Sequence, residues 1–464
     1  MEKKKNIWTT YDNATIDEVM AFSEGYKNYI TKGKTERLCV DISIEMAEAK
    51  GFKNLETLIC DETPLNPGDK VYMSCMGKAL FLAIIGTSPI GDGMNILGAH
   101  IDSPRMDLKQ NPLYEKNELA FLDTHYYGGI KKYQWVTLPL AIHGVFIKKD
   151  GTKVNVSIGE DANDPVFCIT DLLVHLAGEQ LTKKAATVIE GENLDVLFGS
   201  TPLNDADEKE KNLVKANILK LLKEKYDVEE DDFLSAELEV VPAGAARDCG
   251  FDRSMVIGYG QDDRVCAYPS LIALLETENP QRTSVCLLVD KEEVGSVGAT
   301  GMESRFFENT VAELMNLCND YSELKLRRAL KNSFMLSSDV SAAFDPTYAA
   351  AFEANNAAFF GNGIVFNKYT GARGKSGSND ANAEYMASLR NLFDNANVAF
   401  QTAELGKVDK GGGGTIAYIL ANYGMNVIDS GIAVLNMHAP WEISSKADIF
   451  EAYKGYKAFL ENMK

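Results

Sequence analysis

From residue 283 onward, short apolar runs alternate with helix-length segments: TSVCLLVD, a helical pattern near 310 to 330, FMLSSD, a helical pattern near 380 to 396, another from Thr415, IAVLNMH, and a C-terminal helix. Runs this short and this uniformly apolar suit strands buried on both faces. Helices between them supply the crossovers that parallel strands need, so the pattern points to an α/β layer with a mainly parallel sheet. Several of these runs end in groups that a buried strand has no reason to carry. TSVCLLVD runs into Glu292 and Glu293, NILGAH ends at His100 with Asp102 two residues on, FMLSSD ends at Asp339, and IAVLNMH ends at His438. In an open parallel sheet the carboxyl ends of the strands form the crevice where ligands bind. All six side chains are therefore expected along one edge of the fold.

The remaining chain divides by texture. The first fifty residues carry apolar positions at three- and four-residue steps, the period of amphipathic helices, and KALFLAIIG follows as a strand. Between about 108 and 242 the pattern turns β-rich: WVTLPLAIHGVFIKKDGTKVNVSIG has a hairpin signal at Asp150-Gly151, and SAELEVVPAG is a further strand. We therefore expect a discontinuous domain, 1–107 with 243–464, interrupted by an inserted domain, 108–242. The run GGGG at 411–414 permits close approach of the backbone to something.

Composition narrows the partners. Lys plus Arg number 47 against 67 Asp plus Glu, a net charge of -20, which argues against a nucleic-acid backbone or an anionic membrane. The start, MEKKKNIWTTYDN, lacks the apolar segment of a secretory signal, and no eighteen-residue apolar stretch occurs, so a cytoplasmic protein is expected. The eight cysteines are scattered without a CxxC pair, as suits free thiols.

Carboxylates packed together raise one another's pKa, so a strand edge this acidic is expected to hold cations or protons. Imidazole with carboxylate suits zinc, and also cobalt or manganese, better than calcium or magnesium. GYGQDDRVCAYPSL adds Asp262 and Asp263 at the point where the inserted domain returns to the first, and one shared aspartate would complete a centre of two metals. Two other motifs lead nowhere. GARGKSGS fails the phosphate-loop pattern because Tyr369 stands where its first glycine belongs, and GSVGATG is not the dinucleotide fingerprint.

The ordered set HIDSPR, GQDDR, DKEEVGS, SSD and NMH resembles the aspartyl aminopeptidase family, which includes vacuolar aminopeptidase I, over most of the chain. The resemblance implies an α/β/α sandwich catalytic domain with an inserted dimerisation domain, assembled into tetrahedral dodecamers built from dimers. It implies two divalent ions per subunit, most readily zinc, one held by His100 and Asp339, the other by Glu293 and His438, with Asp263 bridging and the Asp263–Arg264 peptide cis. Asp102 would orient His100, and Glu292 would be the general base for hydrolysis of N-terminal residues from peptides. His175 matches a family histidine that a neighbouring subunit inserts into the site.

The chain departs from the family at the substrate end. Asn367, with Lys368 beside it, stands where aspartyl members have a lysine that pairs with an acidic substrate side chain. Ala342 and Asp345 replace two histidines, which puts acidic preference in doubt and would let Asp345 favour neutral or basic residues. Two competing functions use the same residues. A deacylase or carboxypeptidase could employ the same metal pair, whereas a shell-forming protein with a structural metal would have no use for Glu292.

Overall fold

The computed structural model describes residues 5–204 and 211–464. The chain forms two compact units: Met1–Asp102, Ala246–Met437 and Glu442–Lys464 make the first, and Ser103–Ala245 with His438–Trp441 the second.

The first unit is built on a nine-stranded sheet in the order Lys53–Asn54, Lys70–Cys75, Ala79–Ile84, Thr283–Val289, Met94–His100, Phe334–Ser337, Asn426–Gly431, Ile364–Asn367, Phe400–Thr402. Thr283–Val289, Met94–His100, Phe334–Ser337 and Asn426–Gly431 run parallel, in a register that sets Val289 beside His100 and Ser337 beside both Gly98 and Asp429. Their carboxyl ends therefore open on one edge. Side chains alternate across the sheet with period two. Leu97, Ala99, Leu288 and Leu336 face one core, which they share with Tyr29, Leu271 and Tyr456. Ile96, Leu287, Met335 and Val427 face the other, with Val311, Leu330 and Leu420. Helices thus cover both faces and make an α/β/α sandwich, which is why the strands carry no polar alternation.

The N-terminal helices form where expected, Asn13–Lys32 capped by Asp12 and Glu36–Ala49 capped by Thr35. The pattern near 310 to 330 is two helices, Phe306–Leu317 and Glu323–Lys331, because Asn319 takes a left-handed φ of 55° between them. The helix expected from Thr415 is a short one, Ala417–Ala421. The glycine run closes on the chain itself. A Cβ on Gly411 would lie 1.9 Å from the Leu405 oxygen, and one on Gly412 would lie 2.3 Å from the Gly371 oxygen.

The second unit is a seven-stranded antiparallel sheet, Lys153–Ile158, Leu140–Ile147, Ala236–Pro242, Arg105–Lys116, Leu119–Tyr127, Val196–Gly199, Cys168–Ile169, with the helix Leu213–Tyr226. The Asp150-Gly151 turn is the expected hairpin, pairing Ile147 with Lys153, and Gly151 supplies a φ of 87°. All eight cysteines are free. Among the described residues no helix is long and apolar enough to cross a membrane.

Candidate metal centre

His100 closes its strand on the same face as Ile96 and Gly98, and is 1% exposed. Its Nε2 lies 3.1 Å from Asp262 Oδ1 and 3.8 Å from Glu292 Oε2, while Nδ1 lies 3.3 Å from Asp102 Oδ1. Asp102, itself fully buried, does more than face the imidazole. Its two oxygens accept the backbone N–H groups of Glu292 and Glu293, each at 3.2 Å. One carboxylate therefore fixes both the histidine ring and the turn that delivers the two glutamates. That turn leaves the Thr283–Val289 strand through Lys291, at a left-handed φ of 68°, and ends at Gly295, φ 96°. Successive side chains at such a bend leave in different directions, so Glu292 and Glu293 are free to serve different purposes.

Two sets of ligand atoms come within 4.8 Å of one another around this histidine: His100 with Asp262 and Asp339, and His100 with Glu292 and Glu293. Asp339 follows the strand Phe334–Ser337 and is buried. It is seated by a close approach of the backbone, since a Cβ on Gly431 would fall 1.8 Å from the Asp339 carbonyl oxygen. One layer below, Asp429 pairs with Ser337 on one side and Asn367 on the other.

Asp263 was the aspartate expected here, with a cis Asp263–Arg264 peptide, and the cis peptide lies one residue earlier. Asp262 is the one beside His100, and the cis peptide is Asp262–Asp263. The reason is the backbone of the turn. Asp262 has φ -77° and ψ 109° and Asp263 φ -112° and ψ 23°, so neither is helical and the two side chains diverge. Asp263 is fully buried against Cys266 and the His100 backbone. Arg264 holds the turn by donating from Nε to the Ile101 carbonyl at 2.9 Å, which joins GQDDR to HIDSPR.

Burial and neighbouring charge set the protonation of this cluster. Burial, then the charges of Glu292 and Asp263, hold the Asp339 carboxyl well above the usual range. Burial does the same to Asp263. Burial alone would pull the His100 imidazole down, yet hydrogen bonding to Asp102 and Asp262, with the Glu292 charge, leaves it well above its usual value. Five carboxylates around one imidazole, those of Asp102, Asp262, Asp339, Glu292 and Glu293, fit a divalent cation by charge and by donor type. Nitrogen with carboxylate oxygens is a zinc-binding set.

The other expected residues lie as follows. His438 belongs to the second unit, at φ 64°, with Nδ1 2.8 Å from the Gly129 carbonyl oxygen. His175 is exposed in the turn Val174–Leu176 of that unit. Asn367 is buried at its strand end, whereas Lys368 is exposed and sits 3.8 Å from Asp380. Asp345 is committed locally, accepting the Thr347 N–H at 2.9 Å. Unforeseen from the sequence are Gly431, Asp429 and Glu442. Glu442 is 1% exposed and accepts the Asp262 N–H at 3.1 Å.

The whole chain is similar to proteins of one family. Residues 29–460 match the family Peptidase M18, described as aminopeptidase I zinc metalloprotease. A relative from Clostridium acetobutylicum, described as probable M18 family aminopeptidase 1, is 64% identical, covering 100% of this chain and 99% of the relative. A solved aminopeptidase of the M18 family from Thermotoga maritima superposes with a TM-score of 0.94 at 44% identity, covering 100% of both chains. Aminopeptidase I from Clostridium acetobutylicum superposes with a TM-score of 0.92 at 62% identity, also over 100% of both.

Proposed function

The chain belongs to the M18 family of aminopeptidase I zinc metalloproteases, and on that footing we propose that it removes N-terminal residues from peptides, with Glu292 as general base beside a pair of zinc ions. The observation that carries this reading is the gathering of Asp262, Asp339, Glu292 and Glu293 around His100 at the strand ends. His100, Asp339, Glu293 and His438 would hold the two ions, with Asp262 shared between them in place of Asp263. Zinc, when bound, supplies Lewis acidity toward a carbonyl oxygen and a water.

The chain's own residues do the rest. Glu292, with 18% of its side chain exposed, reaches solvent where His100 and Asp262, at 1% and 5%, do not. It accepts the proton of the attacking water and returns it to the leaving amine. Asp102 keeps the His100 ring turned and the Glu292 backbone fixed, so base and ligand hold their spacing. The free α-amine of the substrate is a cation, and an acidic cluster attracts it where it would not attract an acylated terminus. Asn367 offers an acidic side chain no counter-charge, so we expect neutral N-terminal residues to be preferred over Asp and Glu.

We further propose that the second unit makes the dimer contacts of a homo-oligomer and that His175 acts in a neighbour's site. Leu172, Leu173, Val174 and Leu176 around it are all more than half exposed, an apolar surface suited to a second copy. A solved relative, 21% identical, is described as the S. cerevisiae mApe1 dodecamer, and a tetrahedral dodecamer is our expectation for this chain.

Removal of metal by dialysis against a chelator, readdition of zinc, and assay on aminoacyl p-nitroanilides test the reading. Activity should vanish, return with zinc, and disappear again on N-acetylated substrates. Turnover that survives full metal removal refutes the mechanism. Equal rates on free and acetylated substrates would make the protein a deacylase or another peptidase.

A further inference from the structure

We propose that Glu442 is a positioning residue for the metal centre: together with Gln261 it forms a buried clamp that holds Asp262 turned toward His100. The inference rests on the metal-binding reading above and extends it to a residue 180 positions away in sequence.

The need for a clamp follows from the turn that precedes the regular helix: Asp262 and Asp263 are not helical, so the N–H groups of Gln261 and Asp262 lie ahead of any intrahelical ladder and need an acceptor from elsewhere. Gly260, at φ 70°, has no side chain to offer one. Gln261 and Asp262 are 0% and 4% exposed, so water does not replace the missing acceptor. Glu442 does. Its Oε2 accepts the Gln261 N–H at 2.6 Å and the Asp262 N–H at 3.1 Å.

The same strand secures Gln261 from a second direction. Glu442–Ser445 pairs antiparallel with Met255–Gly258, and side chains two apart share a face, so Glu442 and Ser444 both face Gln261. The Ser444 hydroxyl donates to Gln261 Oε1, as does Tyr26 at 3.0 Å. The Gln261 amide in turn donates to the carbonyls of Glu442, at 2.6 Å, and Val256, at 3.2 Å. Every polar atom of this side chain is used, which leaves it one orientation. Asp262 is the next residue and inherits that rigidity. Its Oδ1 stands 3.1 Å from His100 Nε2 only while the turn keeps a non-helical backbone at Asp262. A loosened turn would relax toward the helix that follows and swing the carboxylate away.

The test separates positioning from general structural support. Asn95 sits at the opposite end of the His100 strand and is equally buried, its amide donating to the carbonyls of Phe459, Leu460 and Met463. Full-length wild type, E442L, E442Q and N95L are stripped of metal, melted, and titrated with zinc against a chromophoric chelator. E442L and N95L should both melt lower than wild type. Zinc affinity should fall at least about tenfold in E442L, the range seen when the partner of a metal ligand is lost, stay unchanged in N95L, and recover to within about threefold in E442Q, which keeps an acceptor oxygen.

Wild-type zinc affinity in E442L overturns the proposal, as does an equal loss in N95L or in E442Q. Should E442L fail to fold, E442D decides, because a carboxylate one methylene shorter cannot bring its oxygen to the Gln261 and Asp262 N–H groups; the same tenfold loss is expected and its absence overturns the clamp. A wild-type chain that binds no zinc would refute the metal centre itself, a different failure.

Discussion

The two ends of the strand Met94–His100 are buried alike and behave in opposite ways. At its start, the Asn95 amide nitrogen finds three backbone carbonyls near the C-terminal end of the chain, so a neutral donor meets acceptors and fastens the last helix to the sheet, with only its uncharged Oδ1 left without a protein partner. At its end, His100 meets carboxylates from Asp102, Asp262 and Glu292, and acceptors outnumber the protons available to them. Buried polar groups that satisfy one another hold a fold together. Buried like charges that do not are costly, and an evolved chain keeps them where a ligand offsets the cost. The contrast locates the site more firmly than any single residue does.

The hardest way to break this comparison is to alter the charged end without touching the fold. Glu292→Gln keeps the shape and removes the proposed base, so kcat should fall by roughly 10³-fold, within the span typical of general base catalysis. Zinc content, measured by elemental analysis, should stay at the wild-type value; full turnover in a zinc-loaded variant would strip Glu292 of its role. Asp102→Ala comes next in size. Because that carboxylate serves the His100 ring and the N–H groups of both glutamates, its loss should weaken zinc binding by about 10- to 100-fold. Unchanged affinity in a chelator competition would show that the ring and the turn hold themselves.

Much of this edge was legible in the sequence because strand ends are local features. An apolar run that stops at a histidine or an acid places that group at the sheet edge, and His100, Asp102, Glu292, Glu293 and Asp339 all follow this rule. What was not legible depended on backbone angles or on distant chain. Asp262 and Asp263 are chemically identical neighbours, and only the dihedral angles of the turn decide which one stands beside the His100 Nε2. Glu442 acts across 180 residues through two N–H groups, so no local pattern marks it. Gly431 needs its missing side chain for space rather than for a left-handed backbone, which the single letter does not reveal.

That glycine sharpens the comparison further. Gly431→Ala would drive a Cβ into the Asp339 carbonyl, 1.8 Å away, whereas Gly86→Ala makes a clash of the same kind with the backbone at Arg282 and Thr283, 2.5 Å away, at the start of a neighbouring strand. Both variants should melt lower. Zinc affinity should drop about tenfold in G431A alone, at the mild end of the range for a displaced ligand. Equal retention of zinc by both would mean that Asp339 tolerates its seat being moved.

The last effect concerns protons, and its sign follows from burial. Burial pushes the Asp429 carboxyl up to about 7, with the nearby Thr415 and Ser337 hydroxyls pulling the other way. Burial likewise holds Asp448 at about 7, although it accepts the N–H groups of Gly361 and Gly363. An unfolded aspartate titrates near 3.9. Between about pH 4 and 7 the folded protein therefore keeps a proton that the unfolded chain has released, and stability falls as pH rises, by at most about 1.4 kcal/mol per pH unit for each group. Asp263 and Asp339, also raised, act in the same direction. His100 does too, since its raised pKa adds stability below about 6.5 that is lost as pH climbs through the folded value. Urea melts of metal-free protein should thus show lower stability at pH 8 than at pH 5, and Asp429→Asn should flatten part of that decline. Zinc added near pH 6.5 displaces protons from the cluster, so heats measured in buffers of different ionisation enthalpy should report net proton release on binding. A charged end that binds zinc without releasing protons would already be ionised, and the difference between the two ends of the strand would no longer be one of unmet charge.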